Sequence, residues 1–237
     1  MTTLRKAMRS PVTTAVLFAL ALLLLGTSTI GGTRAALTFY SETYTSRVEM
    51  FDIGVSLVEN GEKISWRDYG SSADGSWSEH TGALMASLPG GAKTVTPGVA
   101  YPEALSVTNS GTIPEFVRVT VYCYWVDEDG EKVLDVSPDL IDLHYVNLGR
   151  DWVVDEDAST DERTVLYYQR VLPSGESTVP LSDTLTLDPA ALSYEDSGLR
   201  FQIEAVVNAV QTHNAEDAIR SAWGRQATVS GDALRLD

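Results

Sequence analysis

The chain has 237 residues, 33 of them acidic against 17 basic, for a formal charge of −16. So acidic a protein is not built to seek nucleic acid or an anionic bilayer through its net charge, and copies of it repel one another at low salt. A lone cysteine, Cys123, excludes an internal disulfide framework.

The first element in chain order is a predicted signal peptide over 1–35. Arg5, Lys6 and Arg9 precede an uninterrupted apolar run from Ala15 to Leu25, and the small and polar stretch Gly26 to Thr33 follows. A permanent span needs about 20 apolar residues, and this run is shorter and meets Gly26, Thr27 and Ser28. Thr33-Arg34-Ala35 supplies small residues at the third and first positions before a cut between Ala35 and Ala36. Cleavage there removes four basic residues and no acid, leaving a mature chain of −20. Residues 36–237 fit one domain.

Period-two apolar runs then predict strands around Ile53, Val55 and Leu57, around Leu105 and Val107, over 116–126, over 164–171, over 181–187 and over 201–210. The strongest is 116–126, where Val117, Val119, Val121, Cys123 and Trp125 make a core face and Arg118, Thr120, Tyr122 and Tyr124 face the other way. Cys123 therefore reads as a buried thiol acting as a small hydrophobe. Turn signals separate the runs at Glu59-Asn60-Gly61, Pro97-Gly98, Asn109-Ser110-Gly111, Asp127-Glu128-Asp129-Gly130, Pro173-Ser174-Gly175 and Asp188-Pro189. Many short punctuated strands predict an all-β, jelly-roll-like antiparallel sandwich rather than alternating βα units. Tyr69 to Ser78, with Trp77 inside it, reads as a surface loop. One helix is marked at Ala215 to Trp223, with Asn214 placed to cap it, Gly224 placed to end it, and an apolar stripe of Ala215, Ala218, Ile219, Ala222 and Trp223. The tail from Ala227 is polar.

Candidate chemistry is sparse. His80, His144 and His213 form no HExxH pair, no Gly-x-Ser-x-Gly elbow marks a nucleophile, and no glycine-rich loop cradles a phosphate. No zinc site and no catalytic residue is expected. Two acidic clusters, one with Asp127 and Asp129 and one with Asp155 and Asp157, are weak candidates for Ca²⁺, which takes six to eight oxygen ligands; both lack the twelve-residue loop pattern and read as solvated faces.

The stretch Gly31-Gly32-Thr33-Arg34-Ala35-Ala36-Leu37-Thr38-Phe39-Tyr40-Ser41-Glu42-Thr43, followed by Phe51-Asp52-Ile53-Gly54-Val55-Ser56-Leu57, resembles the TasA and camelysin family of exported bacterial proteins. Val107-Thr108-Asn109-Ser110-Gly111-Thr112, leading to Phe116-Val117-Arg118-Val119, is similar to that family's N-x-G turn and Y-V-R-V strand. Leu37-Thr38 stands before the aromatic residue, where the family pattern has none. The resemblance implies a jelly roll, export through a SipW-type signal peptidase, and a structural role as a subunit of a biofilm-matrix or surface fibre. It also implies a donor strand from Ala36 to about Tyr44, with Leu37 and Phe39 as anchors added to the sheet edge of the next subunit. Camelysins have been classed as metallopeptidases; without a recognisable ligand set here, that activity is not expected. The alternatives are a monomeric secreted binding module or adhesin and, third, a camelysin-type peptidase.

Overall fold

The computed structural model describes residues 53–68, 78–80, 84–85, 95–191 and 199–237. The predicted signal peptide with Ala35, the mature start at Ala36, the donor residues Leu37 and Phe39, and most of the loop holding Trp77 lie outside them.

The described residues are all-β with one α-helix near the C-terminus. The strands are β1 (Gly54–Glu59), β2 (Glu62–Asp68), β3 (Ser78–His80), β4 (Ala100–Pro102), β5 (Leu105–Asn109), β6 (Glu115–Val126) and β7 (Lys132–Val133). They continue with β8 (Ile141–Tyr145), β9 (Trp152–Val154), β10 (Arg163–Tyr168), β11 (Ser182–Leu187), β12 (Arg200–Gln211), β13 (Ala227–Ser230) and β14 (Ala233–Leu236); the helix, α1, is Ala215–Trp223. Every pairing between these described strands is antiparallel.

The sheets run in the orders β3-β2-β1-β5, β12-β6-β10-β9 and β4-β11-β8, with β7 beside β6 and β13-β14 as a separate hairpin. Asn60-Gly61 joins β1 to β2 by a two-residue turn with both residues at positive φ, 49° and 88°, which the Asn-Gly pair adopts at least cost. Backbone bonds also carry pairing beyond β5 onto the segment leading into β11, from Thr178 N–H to Val107 O at 2.8 Å and from Leu181 N–H to Leu105 O at 2.8 Å. The first and third sheets are thereby linked.

Alternation along β6 divides the interior in two. Val117, Val119, Val121 and Trp125 face the main core, where they meet Val55, Leu105 and Val107 from the first sheet and Leu143, Leu185 and Leu187 from the third. Burying each such side chain stabilises by roughly 1.5–3 kcal/mol. Phe116, one residue before Val117, turns to the opposite face and joins Val165, Tyr167 and Val210 under α1 and the β13-β14 hairpin. Ile219 and Leu234, exposed 0% and 1%, are the lids of this second core.

Helix α1 has the bounds its stripe predicts, and Ala215 and Ile219 are buried, but Ala222 is exposed. Asn214 does not cap it with its side chain: it stands in the left-handed conformation at φ 51° with no side-chain capping bond, which Asn tolerates better than other residues with a Cβ. Its carbonyl accepts from Ala218 N–H at 3.0 Å. Gly224, at φ 68°, closes the helix with its N–H on Arg220 O. The tail read as polar in the sequence forms a hairpin of β13 and β14 that turns at Gly231-Asp232.

Candidate functional site

Where the α1 cap ends, the outer face of the second sheet opens into a cleft of about 400 Å³. Period-two alternation puts Arg118, Thr120 and Tyr122 of β6 on its floor beside Arg163, Val165 and Tyr167 of β10, and the register Arg163↔Tyr122 and Tyr167↔Arg118 brings the two rows together. The loop after β9 forms one wall. It is held by Asp155 N–H to Val165 O at 2.8 Å and by Ser159 Oγ donating to Asp155 O at 2.7 Å. The other wall is the end of α1, where the turn at Gly224 follows Trp223 and sends Arg225 back over Asp155.

The cleft mixes charges at close range. Arg225 Nε lies 3.2 Å from Asp155 Oδ2 and Arg225 Nη1 lies 3.3 Å from Asp157 Oδ2. The Asp155 side chain is 1% exposed and that of Asp157 82%. The Asp155 contact is an ion pair by distance without hydrogen-bond alignment, so both Asp155 oxygens and Arg225 Nε lack a directed partner. Arg118 donates through Nη2 to Asn208 Oδ1 at 2.8 Å and stacks 5.3 Å from the Trp223 ring, while its Nε is buried and unpartnered. Arg163 Nε donates to Ala158 O at 2.9 Å. Burial raises the Tyr167 phenol above its ordinary range, against the opposing pull of Arg118, and Trp223 meets its ring edge-on at 5.4 Å. Guanidinium forks, an acceptor-only carboxylate and hydroxyls equip this cleft to bind a polar ligand.

The residues singled out in the sequence fall in three places. Asp127 Oδ1 accepts from the backbone N–H of Asp129 at 3.0 Å and of Glu131 at 2.8 Å, a turn-forming role for that oxygen at the tip beyond β6. Asp155 and Asp157 are brought together on Arg225 in the cleft, away from that turn in the sequence and in a different loop. Cys123 is partly buried against the main core, and burial pushes its thiol up to about 12, which keeps it protonated and unreactive. It borders a second, acidic cleft of about 450 Å³ with Asp139, Asp142, Asp161, Glu162 and Asp188. Among the described residues no group of three or more His, Cys, Asp or Glu is arranged to hold a metal ion. His144 is exposed and pairs with Asp183 at 2.8 Å, which raises its pKa.

Sequence reasoning missed the buried acids. Glu59, Glu103, Glu115, Asp151 and Asp155 are each at most 2% exposed. Asp151 is held between Arg150 at 2.6 Å and Arg170 at 2.7 Å. Glu59 accepts the backbone N–H of Met85. Glu103 has no donor directed at it, and burial, then the neighbouring Glu59 carboxyl, pushes its pKa well above the carboxylate range. Glu115 has no side-chain partner at all and burial pushes it up to about 8. Asn109, by contrast, is buried and satisfied: its amide donates to Ile113 O at 2.8 Å and Leu172 O at 2.9 Å and its carbonyl accepts Gly111 N–H at 2.9 Å. The Asn-Ser-Gly motif is thus a structural latch between β5 and β6.

Among the described residues, no helix is long and apolar enough to cross a membrane. No protein-family profile, curated protein or solved structure matches this chain.

Proposed function

We propose that the protein is a secreted structural subunit of a bacterial matrix or surface fibre, of the TasA and camelysin type, in which the sheets close as a jelly roll. A SipW-type peptidase frees the N-terminus at Ala36, and the segment from Ala36 to about Tyr44 adds as a strand to the next copy through Leu37 and Phe39. The observation that supports this reading is β12. It is twelve residues long, stands at the end of its sheet, and among the described residues is paired on one side, to β6. A long edge of this kind is a template for strand addition. Val206, 45% exposed, adds an apolar contact at its middle.

The test is negative-stain microscopy with sedimentation of protein beginning at Ala36, beside a variant lacking residues 36–44, at neutral and mildly acidic pH. Filaments formed by the complete mature chain and lost in the variant are expected. Monomers in every condition overturn the proposal. Because the mature chain carries −20, acid or divalent cations promote assembly by neutralising carboxylates; faster assembly at neutral pH and low salt than at pH 5 contradicts this.

A second reading, a monomeric binding module, is favoured by the arginine-lined cleft. Its mark is a mature protein that stays monomeric across pH and salt while retaining a ligand.

A further inference from the structure

The cleft beside Trp223 is unlike the rest of this acidic surface. Elsewhere four of the described arginines are committed: Arg150 and Arg170 to Asp151, Arg220 to Asp217, and Arg200 to the carbonyls of Asp127 and Glu128. In the cleft Arg118, Arg163 and Arg225 converge with two aspartates, so the lining is net positive within a chain of −16. Three buried groups there lack directed partners of their own: the Asp155 carboxylate, Arg118 Nε and Arg225 Nε. Such groups are costly to leave unsatisfied, and a site that supplies both donors and acceptors to one cavity is arranged for a ligand that supplies both in return.

Each feature restricts that ligand. A cation is repelled by three guanidiniums. A phosphate dianion is disfavoured because Asp155, buried and always an acceptor when ionised, stands 3.2 Å from Arg225 and would face it. Asp155 needs an uncharged donor, which a hydroxyl provides; the guanidinium forks suit a carboxylate, which they can bind in bidentate fashion. Val165, Ala158 and the Trp223 ring give apolar contact for a ring's C–H face, and a cavity of about 400 Å³ is of the size that takes a small molecule. We infer that this cleft binds a monoanionic sugar acid, a hydroxyl-bearing ring with one carboxylate, with Arg163 and Arg118 on the carboxylate and Asp155 accepting from a hydroxyl. The inference stands apart from fibre formation and holds for a monomer or a filament.

The test is calorimetric titration of the purified protein with glucuronate, and separately with glucose, inorganic phosphate and the peptide Asp-Glu-Asp-Gly. Glucuronate is expected to bind at least about tenfold more tightly than glucose, the value of one charge-assisted contact, and more tightly than phosphate or the peptide. Arg163→Gln, which leaves the Arg225–Asp155 pair in place, is expected to weaken glucuronate binding about tenfold while lowering the melting temperature no further than loss of its bond to Ala158 O carries, and Arg163→Lys to recover part of the binding. Amide shifts on titration should map to Ala158, Trp223 and Gly224. Absence of glucuronate binding, equal binding of glucose, tighter binding of phosphate, preference for the peptide, or shifts confined to the acidic cleft around Cys123 each overturn it. An acidic peptide that binds where glucuronate does not would assign the cleft to a protein partner.

Discussion

The molecule buries its acids in two contrasting ways. At the edge of the second sheet, Asp151 and Asp155 are each at most 2% exposed yet lie against guanidiniums that reach in from solvent: Arg150 and Arg170 on the first, Arg225 on the second. In the interior, Glu115 and Glu103 are as deeply buried with no donor directed at either. Beside the first pair a counter-charge offsets the hydration lost on burial; the second escapes that cost by holding its protons. Burial alone therefore says nothing about charge. The neighbours decide it.

The largest effect expected from breaking this contrast is at Arg225. Arg225→Met strands Asp155 as an uncompensated buried charge and is expected to lower stability by ~3–5 kcal/mol in urea unfolding at pH 7; a loss below ~1 kcal/mol would mean that Asp155 is held by something else.

The next is the pH profile of the glutamates. Between pH 4.5 and about 8 the unfolded chain has already released the proton that folded Glu115 still holds. Stability must therefore fall as pH rises across that window, by ~1.4 kcal/mol per pH unit for such a group, and level off above the folded value. Glu103 acts in the same sense. Glu115→Gln should flatten part of the slope in melting experiments from pH 5 to 8. A slope unchanged in the variant would place the proton uptake elsewhere.

Asp151→Asn should cost the least, ~1–2 kcal/mol, because Arg150 and Arg170, with side chains 72% and 54% exposed, can return to water. A loss as large as that of Arg225→Met would erase the distinction between an ion pair with an exposed partner and one with a sheltered partner.

What the sequence made legible follows the range of the interactions involved. Strands β1, β5, β6, β11 and β12 were readable because one face of each is core and alternation records that locally. The strand predicted over 164–171 ends earlier, at Tyr168, because Gln169 turns to bond Asp151 O and Val171 bonds Asp232 O. Strand β8, which was not predicted, carries the same alternation in Ile141, Leu143 and Tyr145, and the β13-β14 hairpin hides its two apolar residues of note, Leu234 and Leu236, in a polar tail. The cleft was not readable. Arg118 was assigned to the outward face of its strand, but nothing local says that Arg163 and Arg225 join it there, since β-pairing and the turn at Gly224 create that meeting. Glu59 belongs to the Glu59-Asn60-Gly61 turn signal and Glu115 precedes the strand predicted over 116–126, and nothing local at either place records burial.

The ladder between β6 and β12 pairs Glu115 with Gln211 and Val126 with Arg200, uninterrupted over its length. Its two strands are far apart along the chain, so their union closes a long loop whose entropy must be overcome before the pairing repays it. A chain emerging in order from its N-terminus therefore carries β6 with this flank unmet until β12 follows it. The second sheet is thus completed only once β12 has followed β6, and non-local pairing of this kind is expected to slow folding.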